Sequence, residues 1–271
     1  MRRFAFLKGQ ATLNDFVVID DQHGMRELSP QFVRQLCDRR GGIGADGVLR
    51  VVRAQHIKGW DGDPDLWFMD YRNSDGSIAE MCGNGLRVFA RYLMNEQLVP
   101  TGRFKVATRA GAKEVRIARG GMIAVNLGQI DLPGTTVAVR HQGQQWPAVA
   151  VDVGNPHAVC FVDVDTLRDL DLSVAPELVP AEAFPSGANV EFVAEAGPGH
   201  LDMRVYERGS GETMSCGTGV VAAAAAHRQR GDVPNHVVVS VPGGELKVDF
   251  RKSGAWLTGP AVIYIRGEFW A

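Results

Sequence analysis

The sequence predicts a mixed α/β (α+β) fold of two pseudo-symmetric halves, each a set of mainly antiparallel strands wrapped around one central helix. Three observations predict it. A cysteine–glycine loop that opens an apolar helix is written twice. Met81-Cys82-Gly83-Asn84-Gly85 runs into Leu86, Val88, Phe89, Ala90, Tyr92 and Leu93, and Ser215-Cys216-Gly217-Thr218-Gly219 runs into Val220-Val221 and the alanines 222–226. Other landmarks repeat in the same order at nearly constant spacing: Asn14 with Asn155, Gly44-Ala45-Asp46 with Gly187-Ala188-Asn189, and Tyr71 with Tyr206. Around each helix the chain alternates short apolar runs with glycine turns, as antiparallel strands do.

In chain order, Phe4 to Leu7 and Phe16 to Asp20 read as strands on either side of a polar segment that holds Asn14. Ser29-Pro30 starts a helix, with serine as N-cap and proline in the first turn. That helix is expected to run to about Arg40, where Gly41-Gly42 stops it. Gly44 to Gly47 is a tight loop before the strand Val48 to Val52. The run from Leu66 to Tyr71 leads into the first cysteine loop. After the Cys82 helix come strands near 104–108, 114–118 and 122–127. The halves are expected as residues 1–129, carrying Cys82, and 130–271, carrying Cys216, with the last strand free to return to the first half. In the second half, strands at 146–153 and 158–164 precede an acidic, proline-containing stretch of short helix and loop at 169–185. Strands 189–193 and 201–206 feed the second cysteine loop, and strands at 236–241, 245–250 and 262–265 follow its helix. Each long helix is nearly apolar all round, which is the pattern of a buried helix.

Composition excludes several function classes. A hydrophobic content of 45% and a charged content of 22% belong to an ordinary globular protein. The net charge of −2, with Lys and Arg scattered, provides no basic surface for nucleic acid. No apolar run is long enough for a membrane helix, and Phe4-Ala5-Phe6-Leu7 is too short for a signal peptide's apolar segment. The expected location is the cytoplasm. No G-x-G-x-x-G follows a strand, and no Walker-type lysine loop occurs, so nucleotide binding has no motif behind it. Cys37, Cys82, Cys160 and Cys216 include no C-x-x-C pair and suggest no zinc site. Cys37 and Cys160 sit in apolar runs and read as inert core thiols.

Cys82 and Cys216 each stand where a helix offers free backbone N–H groups and the positive end of its dipole, a setting expected to loosen a thiol proton. Either motif alone is a structural helix start with a buried cysteine. Two matched copies suit a reaction that needs a symmetrical acid and base, such as inversion of a carbon bearing an acidic C–H. One thiolate removes the proton from one face while the opposite thiol donates to the other. A helix dipole contributes only about 0.3–1 kcal/mol, against the ~8 kcal/mol or more of even modest enzymes. Backbone donors to a developing oxyanion, at about 2.7–4 kcal/mol each, must carry most of the load. Closure of the two halves would exclude water and strengthen them. Asp46, within Gly44-Ala45-Asp46-Gly47, reads as a turn residue.

The motifs N-D-F-V-V-I-D, G-I-G-A-D-G, M-C-G-N-G-x-R, V-G-N-P-H, N-V-E-F, E-R-G-x-G-E-T and S-C-G-T-G, spread from Asn14 to Gly219, together resemble the diaminopimelate epimerase family. The resemblance implies two pseudo-symmetric α/β halves with the active site in the cleft between them. It also implies a cofactor-independent interconversion of LL- and meso-diaminopimelate, for lysine and peptidoglycan synthesis. By motif, Cys82 and Cys216 resemble the acid/base pair, and Gly83-Asn84 and Gly217-Thr218 the helix starts that hold the reacting carboxylate. Asn14, Asn73, Asn155, Asn189 and Arg208 resemble groups that bind the substrate's distal amino acid end, with Glu207 beside them. His157 and Glu207 resemble residues that tune the thiols. The implied partner is a small amino-acid substrate, without nucleic acid, membrane, metal or cofactor, and a homodimer is compatible. The sequence departs from the family at Gln10 to Leu13, where H-G-x-G is common, and at Arg40, where histidine is common. A proline or hydroxyproline racemase-like isomerase is the nearest alternative, disfavoured because its substrate has no distal group for Arg208 and four asparagines. A thiol redox sensor leaves the duplicated glycine loops unexplained.

Overall fold

The structure, a computed structural model, describes residues 3–231 and 234–270. In chain order its elements are β1 (Arg3–Ala11), β2 (Asn14–Asp20), α1 (Pro30–Cys37), β3 (Gly47–Arg53), β4 (Trp67–Asn73), α2 (Gly83–Asn95), β5 (Arg103–Thr108), β6 (Gly111–Ile117), β7 (Ile123–Gly128), β8 (Thr136–His141), β9 (Gln144–Asp152), β10 (Pro156–Phe161), α3 (Val164–Asp169), β11 (Glu177–Val179), β12 (Asn189–Gly197), β13 (His200–Glu207), β14 (Gly211–Thr213), α4 (Gly217–Gln229), β15 (His236–Val241), β16 (Gly244–Arg251), β17 (Gly254–Gly259) and β18 (Val262–Trp270). The chain divides into two compact units, Met1–Val125 with Gly259–Ala271, and Asn126–Thr258.

The pairing within each unit explains why the landmarks recur. In the first unit the strands follow β18–β1–β2–β3–β4–β5–β6–β7, joined antiparallel, antiparallel, parallel, antiparallel, parallel, antiparallel and antiparallel. In the second they follow β8–β9–β10–β12–β13–β15–β16–β17 with the same succession of directions. Asn14 and Asn155 therefore stand at the starts of equivalent strands, β2 and β10. Asp46 and Asn189 stand at equivalent entries to β3 and β12, and Tyr71 and Tyr206 lie on β4 and β13. The first strand of the eight in the N-terminal unit is supplied by β18, from the far end of the chain.

Each long helix is 13 residues and fills the middle of its own unit. α2 packs on β1, β2, β3, β4 and β18, and α4 on β9, β10, β12, β13, β15 and β16. Leu86, Val88, Phe89, Ala90 and Leu93 on the first, and Val220 through Ala224 with Ala226 on the second, are fully buried. Apolar residues on every side of a helix leave it nowhere stable but inside. Where a strand must come close, the chain uses glycine. At Gly9 on β1 an added Cβ would stand 2.6 Å from Ile263 and 2.9 Å from Val88.

α1 ends earlier than the sequence suggests, at Cys37 instead of about Arg40. Ser29 caps it as expected, accepting from the Phe32 N–H at 3.2 Å. The Asp38 carboxylate takes the N–H groups of Arg40 and Gly41, at 2.7 and 2.6 Å. Such a side-chain turn competes with the helix and halts it, so Gly41 and Gly42 lie beyond the end. Because Phe89 is fully buried in mid-α2, Phe89→Ala should cost about 3–5 kcal/mol of stability. A fall in urea midpoint without change in its slope would report it; an unchanged midpoint would mean that α2 is not the core of its unit.

Candidate active site

Both cysteines are N-caps, and they cap with sulfur. Cys82 has extended backbone angles (φ −141°, ψ 123°), and its Sγ accepts the Gly85 N–H at 3.3 Å. Cys216 does the same (φ −112°, ψ 112°) with the Gly219 N–H at 3.4 Å. A sulfur that caps a helix lies beside the first-turn amides, which still have hydrogen bonds to give.

In the first unit Cys82 belongs to a cluster built from three elements. Its Sγ lies 3.8 Å from Asn14 Oδ1. Asn84 donates through Nδ2 to the same oxygen at 3.2 Å, and Asn14 donates through Nδ2 to Asp46 Oδ2 at 2.7 Å. Asp46 is thus more than the turn residue that its setting suggests. Arg87, which the sequence reading leaves without a role, is fully buried. Its Nη2 donates to Asn84 Oδ1 at 2.9 Å and Thr12 Oγ1 at 3.2 Å, and its Nε to the Pro260 carbonyl at 3.4 Å. Burial pulls its pKa down to about 10, against an opposing contribution from Cys82. The atypical segment forms the turn between β1 and β2, where Thr12 and Leu13 both take positive φ (48° and 62°). The Gln10 amide oxygen closes that turn on the Leu13 N–H at 2.8 Å. Asn73, at the end of β4, bonds Ser77 Oγ at 3.0 Å and pairs across the sheet with Gly47, next to Asp46.

In the second unit Cys216 is buried among carboxylates. Glu207 receives hydrogen bonds from Thr213 and from the Cys216 thiol, and desolvation pushes its own pKa up. Glu191, present in the N-V-E-F motif but likewise left without a role, is fully buried on β12 and meets His157 Nδ1 at 2.7 Å. It sits so close beneath α4 that a Cβ on Gly219 would stand 2.5 Å from Glu191 Oε1. His157 Nε2 lies 3.2 Å from Asn155 Oδ1. Asn189 Oδ1 accepts the Arg208 backbone N–H at 3.0 Å. The exposed Arg208 guanidinium bonds the Ser186 carbonyl at 2.5 Å. Gly187 is in the left-handed region at φ +72°, and a Cβ added there would stand 3.1 Å from Arg208 Cδ. Thr218 Oγ1 lies 3.4 Å from the Cys216 sulfur.

The expectation that a helix start loosens the thiol proton is reversed at Cys216. Burial, then the Glu207 and Glu191 carboxylates, push its pKa well above the usual thiol value, and the Thr218 and Gly219 donors only partly offset them. Desolvation and like charge both favour the neutral form. These surroundings favour Cys216 as a thiol, the proton-donating form. Cys37 and Cys160 are buried, with burial raising Cys37 to about 12 and Cys160 further, which fits their reading as inert thiols. Glu191 and Arg87 had a weak sequence signal, each being a charge set in a mostly apolar strand or helix, beside Glu195 and Arg91 respectively.

A family model described as diaminopimelate epimerase matches residues 6–132 and 149–267. Among curated relatives, a diaminopimelate epimerase of Streptomyces coelicolor is 50% identical over 98% of this chain and 96% of its own. One from Thermobifida fusca is 49% identical over 97% of each. Among solved structures, a hydroxyproline epimerase from Agrobacterium vitis covers 98% of this chain and 92% of its own, with a TM-score of 0.69 at 14% identity. A PhzF-family phenazine biosynthesis protein from Bacillus anthracis covers both chains completely, with a TM-score of 0.69 at 16% identity. These two share the fold of paired pseudo-symmetric halves. No helix among the described residues is long and apolar enough to cross a membrane.

With burial and the carboxylates holding Cys216 protonated, its alkylation by iodoacetamide in the free protein should accelerate only at pH values above the ordinary thiol value of about 8.5. Glu207→Gln removes one of the opposing charges, so the midpoint should move down. A midpoint that stays or rises, read on the Cys216 peptide by mass spectrometry, would remove Glu207 from the electrostatics of that thiol.

Proposed function

The chain belongs to the diaminopimelate epimerase family and is an isomerase, and from that premise we propose that it interconverts LL- and meso-2,6-diaminopimelate with Cys82 and Cys216 as the acid/base pair. The observation that carries the reading is the pair of sulfur caps, each at the same topological place in an equivalent unit. In one direction the Cys82 thiolate takes the α-proton, the C–H electron pair moves into the substrate carboxylate, and the Cys216 thiol donates its proton to the opposite face. The reverse direction exchanges the roles. Cys216 held protonated among Glu207 and Glu191 supports its role as donor.

The chemistry needs somewhere for charge to go while the C–H bond is broken. Backbone N–H groups at Gly83-Asn84 and Gly217-Thr218 serve the reacting carboxylate, since helix starts collect unpaired donors. Arg208 matches the distal carboxylate by its planar fork, and Asn14, Asn73, Asn155 and Asn189 offer both donors and acceptors to the distal ammonium and carboxylate. His157 and Glu207 tune the thiols from behind. In this reading the thiols provide both acid and base, so no cofactor takes part. The reaction belongs to lysine and peptidoglycan precursor synthesis in the cytoplasm.

Each thiol serves one face, so Cys82→Ala and Cys216→Ala should each abolish inversion in both directions. In heavy water each variant should still exchange the α-hydrogen of one epimer slowly, and the two should prefer opposite configurations. NMR of the recovered substrate reads this, and inversion at near wild-type rate in either variant would leave a single mobile base as the mechanism. Arg208→Lys, which loses the bidentate fork, should raise KM at least tenfold in a folded protein. Unchanged kinetics would take Arg208 out of substrate binding.

A further inference from the structure

The donors in the first unit's cluster all run one way. Arg87 is a donor only, so the Asn84 atom facing it is the amide oxygen, at 2.9 Å. That leaves the Asn84 amide nitrogen to donate to Asn14 Oδ1 at 3.2 Å. The Asn14 nitrogen in turn donates to Asp46, at 2.7 Å, where an ionised carboxylate can only accept. Neither amide can rotate without setting donor against donor at the Arg87 end or acceptor against acceptor at the Asp46 end. The consequence falls on the sulfur: it is the Asn14 oxygen that lies 3.8 Å from Cys82 Sγ, and the Asn14 nitrogen faces away.

We infer that Arg87 and Asp46 are positioning residues of the Cys82 thiol, an otherwise uncompensated buried cation and a carboxylate that polarise and orient the Asn84–Asn14 amide pair between them. The inference rests on the reading of Cys82 as an acid/base thiol. Among the described residues Arg87 has no carboxylate within hydrogen-bonding distance and its Nη1 is buried without a partner, and its side chain is fully buried. A buried unpaired cation is costly, and a helix core would hold a leucine there more stably, so its place beneath the sulfur cap calls for a use. The two ends pull in opposite senses. Arg87 favours the thiolate by charge, while Asp46 disfavours it by charge and by keeping a carbonyl oxygen toward the sulfur, which suits S–H. Together they hold the thiol between its two states, as a group that alternates between acid and base requires.

The elements packed on α2 bring further charges. Lys8 on β1 pairs with Asp15 on β2, and Arg39 bridges Asp15 and Asp46. Arg50 on β3 and Asp70 and Arg72 on β4 are paired among themselves, with Asp21 and Arg109. From β18, Tyr264 is raised by burial and by Asp15, and Arg266 pairs with Glu96 at the far end of α2. Asp46 bonds the Asn14 amide and Arg87 the Asn84 amide.

The test is the rate of Cys82 alkylation by iodoacetamide against pH, read on the Cys82 peptide by mass spectrometry, in the wild type, Arg87→Gln and Asp46→Asn. Arg87→Gln should move the midpoint up by about one unit, near the low end for loss of a nearby opposite charge. Asp46→Asn should move it down. Opposite shifts support the inference. Shifts of the same sign, or an unmoved midpoint in Asp46→Asn, overturn it. Should Arg87→Gln fail to fold, Asp46→Asn decides alone, because that side chain is 42% exposed and the substitution keeps its shape. Alkylation needs no turnover, so a wild type that fails to epimerise diaminopimelate while the midpoints still part would sink the proposed function and leave this inference standing.

Discussion

A cysteine sulfur accepting the N–H three residues ahead, at the start of a helix buried on every side, is the contact on which both units are built. It fixes where the helix begins and therefore which amides remain unpaired. It also places a thiol at the one point of a buried helix that is still open to chemistry. Serine or aspartate would cap more strongly, but neither would leave a thiol there. The strands are arranged to serve that contact. Their equivalent order puts an asparagine at the same strand start and an Asp or Asn at the same strand entry of each unit.

The backbone symmetry does not extend to the electrostatics. Cys82 has a buried guanidinium beneath its helix start and an amide oxygen beside its sulfur. Cys216 has two buried carboxylates, one of them against the His157 ring. A duplicated scaffold thus holds two thiols in unlike electrostatic surroundings. The shared fold supplies position and the unlike neighbours supply bias.

Much of this was readable in the sequence, for physical reasons. The duplication shows because each copy needs glycine after its cysteine and an apolar run behind it, so Cys82 and Cys216 announce themselves twice. The long helices show because residues that are apolar all round permit only burial. Whether β18 joins the first unit could not be settled from the sequence, which left that return open, since strand pairing between chain ends leaves no local pattern. Neither could the early end of α1, which depends on one Asp38 carboxylate outcompeting the next helical turn. Arg87 and Glu191 were visible as charges in mostly apolar elements, but Arg91 and Glu195 share those elements, and partners such as Thr12 and His157 lie far along the chain. The raised pKa of Cys216 could not be read either, because the helix dipole is a local feature and the opposing carboxylates on β12 and β13 are not.

The central claim is that two different thiols handle the departing and arriving protons at one carbon. The most direct measurement follows the wild-type protein converting LL-diaminopimelate in heavy water at low conversion, with the label in product and remaining substrate read by NMR and mass spectrometry. Two thiols predict one deuterium at the inverted carbon of nearly every product molecule, and almost none in the remaining substrate, because the arriving proton comes from a group equilibrated with solvent. A product that keeps the substrate's own hydrogen would mean that one group carries the proton across, contradicting the account.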